Sequence, residues 1–234
     1  MKSTRIFGLT AFVAMCAMAT AQGPVTLKLT PKVGDTFRYK LTAEMEVMGT
    51  TATVTGTVAD KVTEVSPEGD YSVESSSTNM TGNFGGQEMP IPDSKSTSKY
   101  KASGVLVDIQ GEEVAGSSAA DAWRRANLSN FVYPTNAIKT GDTWTSSVTA
   151  DSKTGAVAST TTYTVDSFEK IGSHDTVKIK FTSKETEGDA PATSDGFVWL
   201  DTKDGTQVKV QVAWTNVPMM GNPISGKVSM ERID

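Results

Sequence analysis

From residue 25 onward, apolar and polar residues alternate along most of the chain. The alternation is clear in Val25-Leu27-Leu29, Phe37-Tyr39-Leu41, Val105-Val107-Ile109, Val177-Ile179-Phe181 and Val208-Val210-Val212-Trp214. A period of two puts these side chains on one face of a strand and the intervening Ser, Thr and Lys on the other. One stretch breaks the rule. In "SSAADAWRRANLSNF", residues 117–131, Ala119, Trp123 and Ala126 share a helical face, and Ser118 with Asp121 three residues on resembles a capping box. The expected fold is all-β: two tandem related antiparallel sheets, half-barrel or sandwich-like, joined by one short helix. Two domains and one continuous curved sheet satisfy this pattern equally.

The two halves announce themselves by a shared phrase. "KVGDTFRYKLTA", residues 32–43, is answered by "KTGDTWTSSVTA", residues 139–150. Further matches follow in order: Asp70-Tyr71-Ser72-Val73 with Asp175-Thr176-Val177, and "GVLVDIQG" from Gly104 with "GFVWLDTKDG" from Gly196. The order is kept while the spacing shrinks, as a tandem duplication with an unequal loop would give. The boundaries implied are a leader at 1–21, an N-terminal β repeat at 22–116, a helical linker at 117–131 and a C-terminal β repeat at 132–234. In the shared phrase Gly supplies a positive φ, Asp bonds nearby backbone N–H groups, and the aromatic residue starts a strand. Asp35 and Asp142 are therefore expected to make turns.

Turn chemistry also predicts a hairpin around Asp204-Gly205. A two-residue turn there sets Trp199 opposite Val210 and Phe197 opposite Val212, with Trp199 and Trp214 in the core. The extra length of the first half falls around "TGNFGGQEMPIPDSKS", residues 81–96, and a loop of like character is "NVPMMGNPIS", residues 216–225. Met and Ile among prolines suit either lids over the sheet ends or contacts to an apolar ligand or partner. The candidate contact residues are Met89, Ile91, Trp123, Met219 and Met220.

The N-terminus reads as an export signal. Lys2 and Arg5 precede the apolar run "IFGLTAFVAMCAMA", and Ala19-Thr20-Ala21 suits cleavage before Gln22. A lipoprotein signal at Cys16 is the competing reading, weakened by the bulky Met15 before it. Cys16 is the only cysteine, so a cleaved chain would carry neither disulfide nor thiol chemistry. Removing Lys2 and Arg5 from the 22 basic residues leaves 20 against 27 acidic ones, a net charge of −7. That balance disfavours nucleic acid, whose affinity rests on neutralising phosphates. No later stretch is apolar enough to span a bilayer, so an integral membrane protein is not expected.

Catalytic supplies are thin. His174 is the only histidine, so a zinc site of the usual kind is not expected. Ser173-His174-Asp175 is a consecutive trio whose side chains would splay rather than form a triad. Glu112-Glu113 and Glu185/Glu187 are the acidic neighbours a carboxylate-pair hydrolase would need, in stretches that read as exposed turns. Asn79 and Asn127 head glycosylation sequons. No phosphate loop, dinucleotide fingerprint or nucleophile elbow appears, and no cofactor is expected.

Gly34-Asp35-Thr36-Phe37-Arg38-Tyr39, with Gly141 to Trp144 midway, resembles the opening of uncharacterised bacterial exported β-rich proteins that repeat a Gly-Asp-x-aromatic motif. A more distant likeness is to lipoprotein-carrier folds of the bacterial envelope, which implies a curved sheet holding acyl chains against a helix. Those carriers close their cavity with several segments, where this chain offers one short helix. The function expected is an exported, periplasmic or extracellular, non-enzymatic protein that binds an apolar small molecule, a lipid or an envelope protein. A structural or interaction module without a small ligand is the alternative, and a carboxylate-pair hydrolase a third. A binder needs a cavity of roughly 300 Å3 or more.

Overall fold

The computed structural model describes residues 23–47, 49–111, 118–188, 190–219 and 222–233. The expected leader, Cys16 included, lies outside them. The first half lays down Thr36–Val47 (β1), Thr50–Val65 (β2), Tyr71–Phe84 (β3), Gln87–Ile91 (β4), Ser94–Tyr100 (β5) and Leu106–Gly111 (β6). A helix, Ala119–Ser129 (α1), follows inside the expected linker. The second half is Thr143–Val148 (β7), Ser159–Ile171 (β8), His174–Glu185 (β9), Thr193–Asp201 (β10), Gln207–Met219 (β11) and Asn222–Arg232 (β12). The chain is all-β, and the two halves merge into one antiparallel sheet of 12 strands. Its order is β6-β5-β3-β2-β1-β12-β11-β10-β9-β8-β7, with β4 on β3 as a side branch. The seam is β1 against β12, paired from Tyr39–Arg232 to Glu46–Ser225.

The repeated phrase folds twice into one turn. Gly34 N–H donates to Val62 O, Val62 N–H to Asp35 O and Lys32 N–H to the Asp35 carboxylate, each at 2.9 Å. In the second half Gly141, Val165 and Lys139 make the same three bonds with Val165, Asp142 and the Asp142 carboxylate, again at 2.9 Å. Gly34 and Gly141 sit at φ +95° and +89°, a region that side chains other than glycine rarely enter. The correspondence extends to the irregularities. The β2–β3 ladder shifts register after Val62 and the β8–β9 ladder after Val165. The β5–β6 ladder shifts after Lys99 and the β10–β11 ladder after Trp199.

This register makes Val73 the counterpart of Ile179, one residue off the match read from the sequence. It makes Gly104, at φ +86°, the counterpart of Gly205, at φ +76°, not of Gly196. The sequence match was misled by two similar Gly-apolar phrases and by the β3–β4 hairpin, which holds the extra length of the first half. The β10–β11 hairpin is also corrected. Its loop is longer than two residues, closed by Asp201 N–H to Thr206 O, so Phe197 faces Gln211 and Trp199 faces Lys209. Both aromatics lie on the face opposite Val198 and Val210, beneath Lys178, whose Nζ is 4.3 Å from the Phe197 ring centre. Trp199 is buried there all the same.

Because β6 and β7 occupy opposite edges, the linker crosses the concave face. Ser118 and Asp121 form the expected capping box, with bonds of 3.1 and 3.2 Å. Arg124 Nε and Nη2 donate to the two Glu185 oxygens at 2.6 Å each, and Ala192 N–H donates to Glu185 Oε2 at 2.7 Å. Glu185 is 2% exposed, so it is a buried anchor for the helix and not the exposed turn residue expected. Beyond α1 the chain is tied to both halves. Asn130 Nδ2 donates to Gly104 O at 2.7 Å, and Tyr133 OH to Gly205 O at 2.8 Å. Val25, expected in a strand, instead makes a single bridge to Ile138, exchanging both backbone bonds at 2.8 Å. It lays Leu27 into the core.

Arg124→Met should leave Glu185 charged and unpaired in the interior and cost about 3 kcal/mol. Urea unfolding checks this, and Arg124→Met/Glu185→Met should recover most of the loss.

Candidate functional site

The concave face is filled unevenly. Over the second half Val165, Val177, Ile179, Phe181, Val198 and Leu200 are buried in one core with Leu27 and Ile138, and Phe131 packs against them. The Phe131 ring meets Tyr163 edge-on at 5.0 Å, and Trp144 stacks on Tyr163 at 5.1 Å. Across these strands the register runs Trp144–Tyr163–Phe181. The first half has the same register with other side chains: Phe37–Asp60–Ser75. Two large aromatics are thus replaced by an acid and a serine, and space opens.

The space is a partly open cavity of about 450 Å3. Phe37, Asp60, Tyr71, Val73, Ser75 and Tyr100 form its first-half wall, Tyr163, Phe181, Val198 and Val212 line it from the second half, and Ala126, Asn130 and Phe131 of the linker cover it. Sealed and dry, a void of this size would cost on the order of 10 kcal/mol, which rivals the whole stability of a domain. It must therefore hold solvent or a ligand. A second recess of about 400 Å3 runs toward the start of the helix and shares Ala126, Ser129 and Trp214 with the cavity. Trp214 Nε1 is buried there without a hydrogen-bond partner among the described residues.

One charged side chain faces the cavity. Asp60 Oδ1 accepts a hydrogen bond from Ser75 Oγ at 2.6 Å. Loss of water around Asp60 pushes its carboxyl above the ordinary range, and the Ser75 bond offsets this only in part. Tyr71 and Tyr100 stack at 5.1 Å, and burial raises both phenols, so they stay neutral. Tyr133 is raised for the same reason. Among the described residues no Lys, Arg or His lines the cavity.

The residues singled out from sequence are scattered. Met219 lines the second recess beside Trp214 and Arg125. Ile91 pairs with Met80 and packs on the main core, whereas Met89, two residues nearer the hairpin tip, is 47% exposed. Trp123 is buried with Leu106 and Ala156, away from the main cavity, on a smaller recess of about 190 Å3. Met220 lies outside the described residues, as do Glu112 and Glu113. The two Met/Pro stretches are mostly strand, the β3–β4 and β11–β12 hairpins, since Pro is tolerated near the ends of edge and hairpin strands. Asp60, Ser75, Tyr71 and Tyr100 went unnoticed. Their signal was available only through a strand-by-strand alignment of the two halves.

The remaining candidates are structural. Asp35 and Asp142 hold turns, as expected. His174 begins β9 and its Nδ1 lies 2.7 Å from Asp201 Oδ2, with Ser173 in the turn before it. Asn127 is 8% exposed and cannot take a glycan in this fold. Among the described residues no group of three or more His, Cys, Asp or Glu is placed to hold a metal ion, and no helix is long and apolar enough to cross a membrane.

The raised Asp60 carboxyl fixes a pH dependence. Below the unfolded-state value near 3.8 both states are protonated and Asp60 contributes nothing. As pH rises, the unfolded chain releases this proton first, so the native state loses stability until its own higher value is passed. Asp60→Asn should therefore be more stable than wild type at neutral pH, and the gap should shrink toward pH 3.5. Thermal unfolding of the two proteins across this range measures it, and a gap independent of pH would contradict the burial argument.

Comparison of the chain with known families, with curated proteins and with solved structures gave no match, so the role assigned to the cavity rests on its geometry.

Proposed function

We propose that the protein is an exported, non-enzymatic carrier or sensor that holds an apolar molecule between its sheet and the linker. The observation that carries this is the exchange of Tyr163 and Phe181 for Asp60 and Ser75 at matched positions of two otherwise parallel halves. The second half shows that this frame can be filled by its own side chains. In the first half those places carry short side chains, and the cavity extends from there to Tyr163 and Phe181, behind aromatic and aliphatic walls of the kind small-molecule sites use. The neighbouring recess, lined by Met219 and Ala122, offers room for a longer tail. An interaction module has no use for such a space, and a hydrolase would need a second carboxylate beside Asp60, which the walls do not supply.

Filling the cavity is the decisive experiment. Asp60→Tyr/Ser75→Phe gives the first half the residues of the second. It should raise the unfolding temperature and abolish binding of a fluorescent naphthylamine dye that wild type takes up. Val58→Trp, on the same wall, should also block the dye. Dye binding unchanged in both folded variants would place any apolar site elsewhere.

A further inference from the structure

Resting on the cavity just described, we propose that its ligand is a lipophilic amine, held with its protonated nitrogen against the Asp60 carboxylate and its hydrocarbon along the aromatic wall. The first support is the charge of the walls. Among the described lining residues Asp60 is the only Asp, Glu, Lys, Arg or His, so none of them is a cation to meet a fatty-acid carboxylate or a phosphate. An anionic headgroup would be placed beside a like charge in a low-dielectric space, which is strongly unfavourable. An ammonium there gains a charge-assisted hydrogen bond.

The second support is the coordination of the acid. Ser75 supplies one hydrogen bond, to Oδ1, and no protein donor to Oδ2 is present among the described residues. Oδ2 is thus left to the cavity, where a ligand can reach it. An ammonium has three donors, enough to meet Oδ2 and a neighbouring hydroxyl together. The third support is the surrounding rings. Phe37, Tyr71 and Tyr100 share the wall with Asp60, and aromatic rings attract a cation where a face is open to it. Arg232 stands over Phe37 at 4.6 Å and donates to Thr206 Oγ1, but is not itself among the residues lining the cavity.

Isothermal titration of the whole described protein at neutral pH with decylamine, decanol and decanoate separates the possibilities. Decylamine should bind at least tenfold more tightly than decanol, and decanoate most weakly. Asp60→Asn should bring decylamine to the level of decanol while leaving decanol unchanged, and Ser75→Ala should weaken decylamine less. Equal binding of decylamine and decanol, or a preference for decanoate, would overturn the amine assignment and leave the apolar cavity standing. Binding of none of the three would overturn the cavity's role, and the amine assignment with it.

Discussion

The pairing of β1 with β12 dictates the rest of the architecture. It joins the first strand of one half to the last strand of the other, and each half then meanders outward from the seam. Strand β6 ends at one border of the sheet and β7 starts at the opposite one. The segment between them has to travel across a face, and the apolar concave face is the one that gains by being covered. Helix α1 and residues 130–138 are that cover. Their fixing points alternate between the halves: Glu185 and Ser194 on the second, Gly104 on the first, Gly205 on the second again. A single crossing of 11 helical residues and a short extended piece cannot fill a concavity made by 12 strands. Some of that face must be filled from the sheet itself, or stay open.

Which part stays open is decided by side-chain size at matched positions. Tyr163 reaches up to meet Phe131, with its hydroxyl bonded to Asn130 O at 3.0 Å, and Phe181 is buried in the same core. At the same places in the first half Asp60 and Ser75 are short and bond to each other instead. The turns, glycines and bulges that set the backbone are alike in both halves, so the difference is not one of frame. It lies in the side chains carried by a shared scaffold: Asp60 and Ser75 stand where Tyr163 and Phe181 do, while the larger Tyr71 and Tyr100 stand where Val177 and Leu200 do.

Much of the frame was legible from the sequence because it depends on local rules. Alternation found the strands, the capping box at Ser118 and Asp121 found the helix, and the Gly-Asp-Thr phrase found the repeat. The failures have a common cause in register. A β-bulge beside Trp199 moved Phe197 and Trp199 to the other face, and no periodicity within one strand can reveal a bulge that depends on its neighbour. The ligand residues suffered from the same blindness. Met89 and Trp123 looked notable as residue types, yet Met89 faces solvent and Trp123 is interior packing. Asp60 looked like an ordinary strand carboxylate between Ala59 and Lys61, and its meaning depends on Phe37 and Ser75 lying either side of it.

Two acids on the same face of the sheet are met very differently by the fold. Glu185 and Asp60 are both desolvated carboxylates projecting from the concave face. Glu185 receives two Arg124 nitrogens and the Ala192 amide, so its charge is fully met within the fold and it fastens the helix. Asp60 receives one serine hydroxyl. A fold able to surround Glu185 with three donors had the means to do the same for Asp60, or to place a neutral residue there as it does with Tyr163. With one oxygen left to the cavity and aromatic rings on the same wall, Asp60 has room for a donor from outside the chain.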